Sequence, residues 1–250
     1  MLTLDRLHNE ILDFYDSVAP QPHETDLRRG LIERVEAAIG LQQFPPYPAH
    51  VQCFGSFPAG LFLPSADMDL VYTSDQYRNG GNAAFSPSKN QLWKIGHKLE
   101  QKGVARELVV IPFAKVPIIK FKDQITGLPV DISFENLSGV YAQDYFKKWL
   151  DEHEAMLYLV ALVKQFLVMR SWNEVSTGGL GGFSTICLVV SYLQLEAKGE
   201  NYGDLFLGFL DYYGNRFDLN RMRIVMNPPG RHDKVFSFSR FLCSALTDFD

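Results

Sequence analysis

Apolar side chains recur at helical spacing near both ends of the chain and at strand spacing in between. In the first segment, Leu4, Leu7 and Ile11 begin an apolar stripe of the kind that one face of a helix buries. This pattern predicts two amphipathic helices between residues 4 and 39, interrupted at Pro20-Gln21-Pro22. Helical spacing returns after Val140 and predicts helices over residues 141–150, 154–171, 184–197 and 203–213.

Between these helical segments, short runs rich in β-branched and aromatic residues predict five strands. In chain order the runs read VQCF, DLVY, ELVVIP, VPIIKF and PVDISF. We expect one helix among them, over about residues 88–101, and a mobile loop rich in Gly, Asn and Ser over residues 74–86. The change from helix to strand and back predicts an α+β fold, with a mixed sheet flanked by helices and an all-helical domain formed by both chain ends.

Domain boundaries are expected where this pattern changes. Residues 1–45 would be N-terminal helices that pack with the helical domain, and the Pro-rich FPPYPAH at residues 44–50 would be a stiff connector. Residues 46–137 would form the sheet-containing domain, and residues 138–250 the helical domain.

Composition excludes several classes of protein. At 250 residues with 46% hydrophobic content, the chain is long enough to fill one or two cores. Charged residues interrupt the first segment, so no signal peptide is expected, and the apolar stretch at residues 186–195 is too short to span a bilayer. Scattered cysteines without a C-x-x-C pair indicate buried thiols in a reducing compartment rather than structural zinc. They are Cys53, Cys187 and Cys243.

The candidate chemistry begins with an Asp-x-Asp pair, Asp67 and Asp69, and a third aspartate, Asp131, in the strand-like PVDISF. Since side chains alternate along a strand, Asp67 and Asp69 would share one face while Met68 points into the core. Three carboxylates at one place repel one another unless cations lie between them, which favours a two-metal magnesium or manganese site. The alternative is a set of solvated carboxylates at an exposed strand edge.

A Gly-Ser pair, Gly55-Ser56, stands ten residues before the first aspartate. A glycine lets the backbone approach a phosphate closely, and the serine would add a hydroxyl donor and a helix N-cap. Carboxylates for metals together with backbone donors for phosphate are what phosphoryl transfer from a nucleoside triphosphate requires.

This spacing resembles the active-site signature of the DNA polymerase β-like nucleotidyltransferases. Two further blocks, LVALVKQFLVMRSWNEVSTGGLGGF at residues 159–183 and YGDLFLGFLDYYGNRFD at residues 202–218, resemble the PAP-associated domain of template-independent poly(A) RNA polymerases. The similarity is to the branch found in the TRAMP nuclear RNA-surveillance complex. LHNEILDFYDSVAP, residues 7–20, resembles the helix that precedes the catalytic domain in that family.

The resemblance implies roles for individual residues. Asp67 and Asp69 would bind both metals, and Asp131 the metal that activates the RNA 3′ hydroxyl. Gly55 and Ser56 would hold the β- and γ-phosphates of the nucleotide.

Lys164 would grip the triphosphate tail, in keeping with a lysine set into an apolar helix where it must line a cleft or snorkel. In the loop GGLGGF, Gly182 and Phe183 would contact the nucleotide, although Phe183 is equally expected as a core anchor. Asn136 would contact the ribose hydroxyl, with Ser138 as a competing assignment.

The resemblance leaves three alternatives open. RMRIVMNPPGRHDK, residues 221–234, stands where relatives carry a base-reading loop, and it assigns no discriminating residue, so a terminal uridylyltransferase competes with an adenylyltransferase. The helical domain is also short at its C-terminal end, without the Asp-Pro motif and final helix of relatives, which leaves room for an inactive assembly module. A small-molecule nucleotidyltransferase would share the aspartates but not the block around Lys164.

The implied substrates are ATP and RNA 3′ ends, in the nucleus, with a zinc-knuckle RNA-binding protein and an RNA helicase as partners. Net charge supports the need for a partner, because 24 Lys and Arg against 29 Asp and Glu give −5, with no basic run. A local positive cleft is expected near Lys115, Lys120 and Lys122.

Overall fold

The computed structural model describes residues 2–41, 48–218, 220–226 and 228–233. The first part of the predicted connector, the end of the predicted helical domain after residue 233, and Cys243 lie outside the described residues. The chain forms two compact units. One, the sheet unit, is Pro20–Phe146, and the other, the helical unit, combines Met1–Ala19 with Lys147–Asp250.

Seventeen helices and strands follow one another along the described residues. In chain order they are α1 (Leu2–Val18), α2 (Pro22–Ile39), β1 (Ala49–Phe54), β2 (Met68–Ser74), α3 (Asp75–Arg78), α4 (Lys89–Gln101), β3 (Ala105–Ile111), β4 (Ile118–Asp123), β5 (Pro129–Phe134), α5 (Ser138–Glu152), α6 (Ala155–Met169), a short 3₁₀ turn (Val175–Thr177), α7 (Gly182–Leu195), α8 (Tyr202–Asp211), a π-helical turn (Tyr212–Arg216), β6 (Met222–Met226) and β7 (Pro229–Asp233).

The sheet unit is built on a mixed five-stranded sheet with strand order β1-β2-β5-β4-β3. Strands β2 and β5 are parallel, and the other neighbours are antiparallel. Alternate side chains of the central strands, such as Met68 and Leu70, are fully buried in one core with α2 and α4. The predicted α+β fold with a mixed sheet is confirmed.

Helix α2 belongs to the sheet unit. Its residues Leu31, Val35 and Ile39 are 0% exposed and join the core of the sheet, because they repeat at helical spacing on one side of α2. The chain therefore changes unit after Ala19 and after Phe146, whereas the sequence pattern placed these changes near residues 45 and 137.

Local signals explain where the helices of the sheet unit begin. Helix α2 starts with Pro22 behind a capping box in which the Gln21 amide donates to Glu24 at 3.0 Å. Helix α4 starts after Ser88, whose side chain and that of Gln91 cap each other's backbone. Ser74 caps the short helix α3, which lies inside the segment predicted as a loop.

In the helical unit, α1 packs with α6 and α8 through aromatic side chains. Tyr158 of α6 stacks on Tyr202 of α8 at 4.3 Å between ring centroids, and Tyr15 of α1 lies 4.7 Å from Tyr158. The amide of Tyr202 donates to Nδ1 of His8, so both ends of the chain contribute to this unit, as predicted. The hairpin β6–β7 lies after the last predicted helix, in the segment of residues 221–234 that stands where relatives carry a base-reading loop.

Among the described residues, no helix combines the length and the apolar character needed to cross a membrane.

Candidate functional site

The three aspartates converge near the start of the neighbouring interior strands β2 and β5. Asp69 of β2 and Asp131 of β5 are direct partners in the parallel register, and Asp67 immediately precedes β2. One carboxylate oxygen from each of the three lies within 4.8 Å of the others. Met68, between Asp67 and Asp69, is fully buried, so the predicted alternation is confirmed. A set of carboxylate oxygens at this separation is the hard donor chemistry that magnesium and manganese prefer.

A lysine already compensates part of this negative charge. Lys120 of β4 is the register partner of Asp131, and its Nζ lies 2.6 Å from Asp131 Oδ2. Lys122 shares the face of Lys120, and its Nζ lies 2.6 Å from Glu107 Oε2. Both lysines are paired with carboxylates, which offsets part of the positive charge expected along β4.

Gly55 leaves room for the Asp69 carboxylate. Its φ is +77°, in the left-handed region, and a Cβ at this position would lie 2.5 Å from Asp69 Oδ2. A second glycine of the same turn, Gly60, has a φ of +69° but nothing within 4 Å of a Cβ. Close approach to the acidic group, which is Asp67, Asp69 and Asp131, therefore requires glycine at position 55, as does the backbone conformation.

Ser56 lies in a run of turns over residues 55–60, and the expected helix N-cap is wrong. The Leu61 amide donates to the Ser56 carbonyl at 2.9 Å, and the Gly60 amide donates to the Phe57 carbonyl at 3.0 Å. Gly60, with a φ of +69°, has left-handed backbone through which a right-handed helix does not continue. Any phosphate held here would meet turn amides and a hydroxyl rather than the N-terminus of a helix.

Gln143 of α5 was missed by sequence reasoning. Its side-chain amide donates to the Gly55 carbonyl at 3.1 Å and to the Gly139 carbonyl at 3.2 Å. Gly139 lies against the ring of Phe54, and a Cβ there would clash with that ring. These contacts join α5 to the end of β1, and no local sequence signal reveals them, since the partners are 88 residues apart.

Asn136 and Ser138, the two competing candidates for the ribose contact, are hydrogen-bonded to each other. Asn136 Oδ1 accepts from the Ser138 hydroxyl at 2.7 Å and from the Ser138 amide at 3.2 Å. This Asx-type turn leads into α5. The assignment of Asn136 to the ribose stays a prediction.

Burial controls the protonation of a thiol beside the acidic group. Burial raises the pKa of Cys53 to about 12, and the nearby Asp69 charge acts in the same direction. The Cys53 thiol is therefore neutral at physiological pH and adds no further negative charge next to Asp69.

The remaining predicted residues lie in the helical unit. Lys164 of α6 is half-buried between the buried Val163 and Leu167, and a Cβ on Gly182 would lie 3.7 Å from Lys164 Nζ. Gly182 is the first residue of α7, so the lysine ammonium and the amides of a helix N-terminus lie close together, both suited to an anion.

Phe183, next along α7, is half-buried, in keeping with either of its two predicted roles. Arg170, six residues after Lys164, is exposed and its guanidinium lies 3.7 Å from the Phe166 ring centroid. Arg170 is therefore a surface charge that stacks on its own helix.

Comparison with known proteins agrees with these features. The family model described as "Poly(A) RNA polymerase, mitochondrial-like, central palm domain" matches residues 7–150. Poly(A) RNA polymerase cid14 of Schizosaccharomyces pombe is 36% identical over 241 residues, which cover 93% of this chain and 33% of that protein. Poly(A) RNA polymerase protein 2 of Saccharomyces cerevisiae is 38% identical over 221 residues, covering 85% and 36%. The chain thus spans about a third of the length of these curated relatives.

One relative carries a different description. The "Inactive non-canonical poly(A) RNA polymerase protein Trf4-2" of Drosophila melanogaster is 34% identical over 223 residues, which cover 85% of this chain and 52% of that protein. Family membership alone therefore leaves activity to be decided by the site.

Solved structures show the same relationship. The polymerase core of TRAMP, an RNA surveillance complex, superposes with a TM-score of 0.77 at 34% identity, covering 93% of this chain and 72% of that one. The Cid1 poly(U) polymerase superposes with a TM-score of 0.73 at 19% identity, which shows a shared fold. The chain belongs to the poly(A) RNA polymerase family defined by the mitochondrial-like central palm domain.

Proposed function

We propose that this chain adds adenylates from ATP to RNA 3′ ends without a template. The observation that carries the proposal is the convergence of Asp67, Asp69 and Asp131, with oxygens within 4.8 Å of one another, next to a glycine whose Cβ would occupy the space of Asp69. Identity above 30% to poly(A) RNA polymerases over most of the chain supports the reaction class.

The acidic group fits magnesium or manganese. Bound there, such ions would supply positive charge that stabilises the triphosphate as its phosphorus is attacked. In this proposal Asp67 and Asp69 would hold the ions, and Asp131 would help to hold the one that activates the RNA 3′ hydroxyl and to accept its proton. The turn at Gly55 and Ser56 contributes amide and hydroxyl donors to the β- and γ-phosphates.

The helical unit would contribute to nucleotide binding. Lys164, beside the first turn of α7, supports the triphosphate tail, because its ammonium and the helix amides both attract phosphate. Gly182 and Phe183 would contact the nucleotide, Phe183 by stacking on the base. Asn136, two residues before α5 in the sheet unit, would contact the ribose.

A separate partner is proposed to hold the RNA. The net charge of −5 and the pairing of Lys120 and Lys122 with carboxylates both weaken contact with a polyanion. Similarity to the polymerase core of TRAMP, an RNA surveillance complex, supports assembly with other proteins. The proposed partners are a zinc-knuckle RNA-binding protein and an RNA helicase, and the proposed location is the nucleus, as the family resemblance implies. Titration of labelled single-stranded RNA at physiological salt should give weak binding, and sub-micromolar affinity without a partner would contradict this point.

One assay tests the reaction. The purified chain is incubated with labelled oligo(A), magnesium and each of the four ribonucleoside triphosphates in turn, and the product lengths are read on a gel. We expect extension with ATP that stops when the metal is chelated. Extension with UTP alone would support the uridylyltransferase alternative.

An inactive assembly module is the second candidate, favoured by similarity to the Drosophila relative described as inactive. Absence of extension with every nucleotide, even after a zinc-knuckle partner is added, would support it. The convergence of all three aspartates argues for activity.

A further inference from the structure

Arg28 of α2 carries a charge that is almost completely buried in the sheet unit. The residue is 2% exposed. One guanidinium nitrogen donates to the Ala66 carbonyl at 3.0 Å and another to the Pro64 carbonyl at 3.1 Å. Burial of a charge is unfavourable unless the charge is well hydrogen-bonded, so the contacts of the guanidinium have to offset its loss of hydration.

Two aromatic rings enclose the same guanidinium. Its central carbon lies 4.6 Å from the Phe62 ring centroid and 5.8 Å from that of Phe57. The two rings meet edge to face at 5.3 Å. A cation over aromatic rings away from water is stabilised by their quadrupoles, which adds to the two hydrogen bonds.

These contacts reach both parts of the acidic site. Ala66 directly precedes Asp67, and Phe57 directly follows Ser56, so one side chain contacts the segment before the first aspartate and the turn after β1. Two parallel donors from a planar group restrain a chain segment more than a single bond does.

We propose that Arg28 is a positioning residue of the metal site, which fixes the loop of residues 57–66 and thereby the placement of the Asp67 carboxylate. This inference rests on the proposed function. Arg28 acts through the backbone of Pro64 and Ala66 and through Phe57 and Phe62, and it contacts no substrate in this role.

If Arg28 acted through its charge alone, its removal would change metal affinity in the opposite direction from the loss of a positioning residue. The charges of Arg28 and Asp67 attract each other, and burial lowers the pKa of Arg28 while the nearby carboxylates oppose that effect. Removing a cation near a metal site without moving its ligands would strengthen metal binding. Misplacing a ligand would weaken it. The direction of the change therefore separates the two roles.

The chain offers a matched control on the same helix. Arg34 lies six residues after Arg28 in α2, and one of its nitrogens lies 2.9 Å from each carboxylate oxygen of the buried Asp123. Asp123 is fully buried. Arg34→Met removes its ion-pair partner and should therefore lower the free energy of unfolding, without moving the three aspartates of the site.

The experiment measures Mn²⁺ binding to the full 250-residue chain by electron paramagnetic resonance, without nucleotide or RNA. The variants are Arg28→Lys, which keeps the charge and loses the planar fork, Arg28→Met, which loses both, and Arg34→Met. Asp69→Asn serves as the control for Mn²⁺ that binds elsewhere on the chain. Melting curves fix a temperature at which each variant is folded.

We expect Arg28→Met to weaken Mn²⁺ binding about tenfold, as loss of groups that orient metal ligands commonly does. Arg28→Lys should fall between it and the wild type, and Arg34→Met should bind as the wild type does at a lower melting temperature. If neither Arg28 variant folds, Phe62→Leu, which keeps both hydrogen bonds, should weaken Mn²⁺ binding by a smaller factor.

Unchanged or stronger Mn²⁺ binding by the folded Arg28 variants overturns the inference and leaves the proposed function intact. If Phe62→Leu has to be used instead, Mn²⁺ binding as tight as that of the wild type also overturns the inference. If the wild type and Asp69→Asn bind Mn²⁺ equally, the acidic group is no metal site, and both the proposed function and the role of Arg28 fall.

Discussion

The two units hold their candidate site residues in different ways. In the sheet unit, Asp69 and Asp131 are register partners on hydrogen-bonded strands, and Gly55 leaves no space for even a methyl group beside Asp69. In the helical unit, Lys164 extends from α6, and its Nζ would lie 3.7 Å from a Cβ on Gly182, an ordinary contact distance. The first arrangement is set by backbone register and the second by packing between helices.

This difference suggests how each unit tolerates change. The distance between two residues paired across hydrogen-bonded strands is fixed by the backbone. A lysine, by contrast, can move its ammonium group by rotamer changes at little cost. We therefore expect substitutions around the aspartates to act on the chemical step and those around Lys164 to act on nucleotide affinity. Four substitutions, in order of expected effect, test this division.

Asp69→Asn should have the largest effect, a loss of about a thousandfold in kcat, since a metal ion contributes several kcal/mol of charge stabilisation. The shape of the side chain is kept, so the melting temperature should stay near that of the wild type. Asp144→Asn, at an exposed carboxylate of α5, is the matched control and should extend RNA normally. If Asp69→Asn still extends RNA substantially, Asp69 is not a ligand of the catalytic metal ions.

Gly55→Ala should lower kcat by about a hundredfold, because its Cβ would displace the Asp69 carboxylate and misplaced catalytic groups cost that much. Gly60→Ala carries the same positive φ without a neighbour, so it should lose only the roughly 1–2 kcal/mol of stability that left-handed backbone costs. Equal activities in the two variants would show that backbone strain, and not approach to Asp69, accounts for Gly55.

Lys164→Met should raise the KM for ATP about tenfold or more with a smaller change in kcat, since a charge-assisted contact contributes about 1.5–3 kcal/mol. The aliphatic volume is kept, so the packing of α6 should survive. Lys198→Met removes an exposed lysine of the same unit and serves as the control. A lower melting temperature with unchanged KM would make Lys164 a structural residue and weaken the contrast between the units.

Lys120→Gln should have the smallest effect, a two- to fivefold stronger binding of Mn²⁺, because a partly exposed ion pair contributes about 0.4–1 kcal/mol and here competes with the metal for Asp131. Isothermal titration with Mn²⁺ measures it. Weaker binding would show instead that Lys120 orients Asp131, and that side-chain contacts add to the backbone register.

Much of the fold and of the acidic site could be predicted from the sequence because the signals are local. Alternation placed Met68 in the core between Asp67 and Asp69, and the break predicted at Pro20-Gln21-Pro22 does separate α1 from α2. The five predicted strands all form.

What was missed depends on contacts between distant residues. The bond from Gln143 to Gly55 and those from Arg28 to the loop before Asp67 join residues 88 and 36–38 positions apart, so no window of sequence contains both partners. The unit to which α2 belongs is likewise decided by packing of Leu31 and Val35 on the sheet. The helix expected after Ser56 does not form, because the chain takes left-handed backbone at Gly60 and stays in turns over residues 55–60.

The joining of both chain ends in one unit has a consequence for synthesis. His8 and Tyr202, which are hydrogen-bonded, are 194 residues apart, and the whole sheet unit lies between them in sequence. At translation rates of about 5–20 residues per second, α1 waits roughly 10–40 s for α8 to be made. Once residue 146 has been made, the sheet unit has all of its own residues and can fold, while α1 still lacks α8, one of the two helices it packs against. We expect ribosome-bound chains to show the sheet unit protected from protease before α1, with α1 dependent on chaperones until residue 202 has emerged.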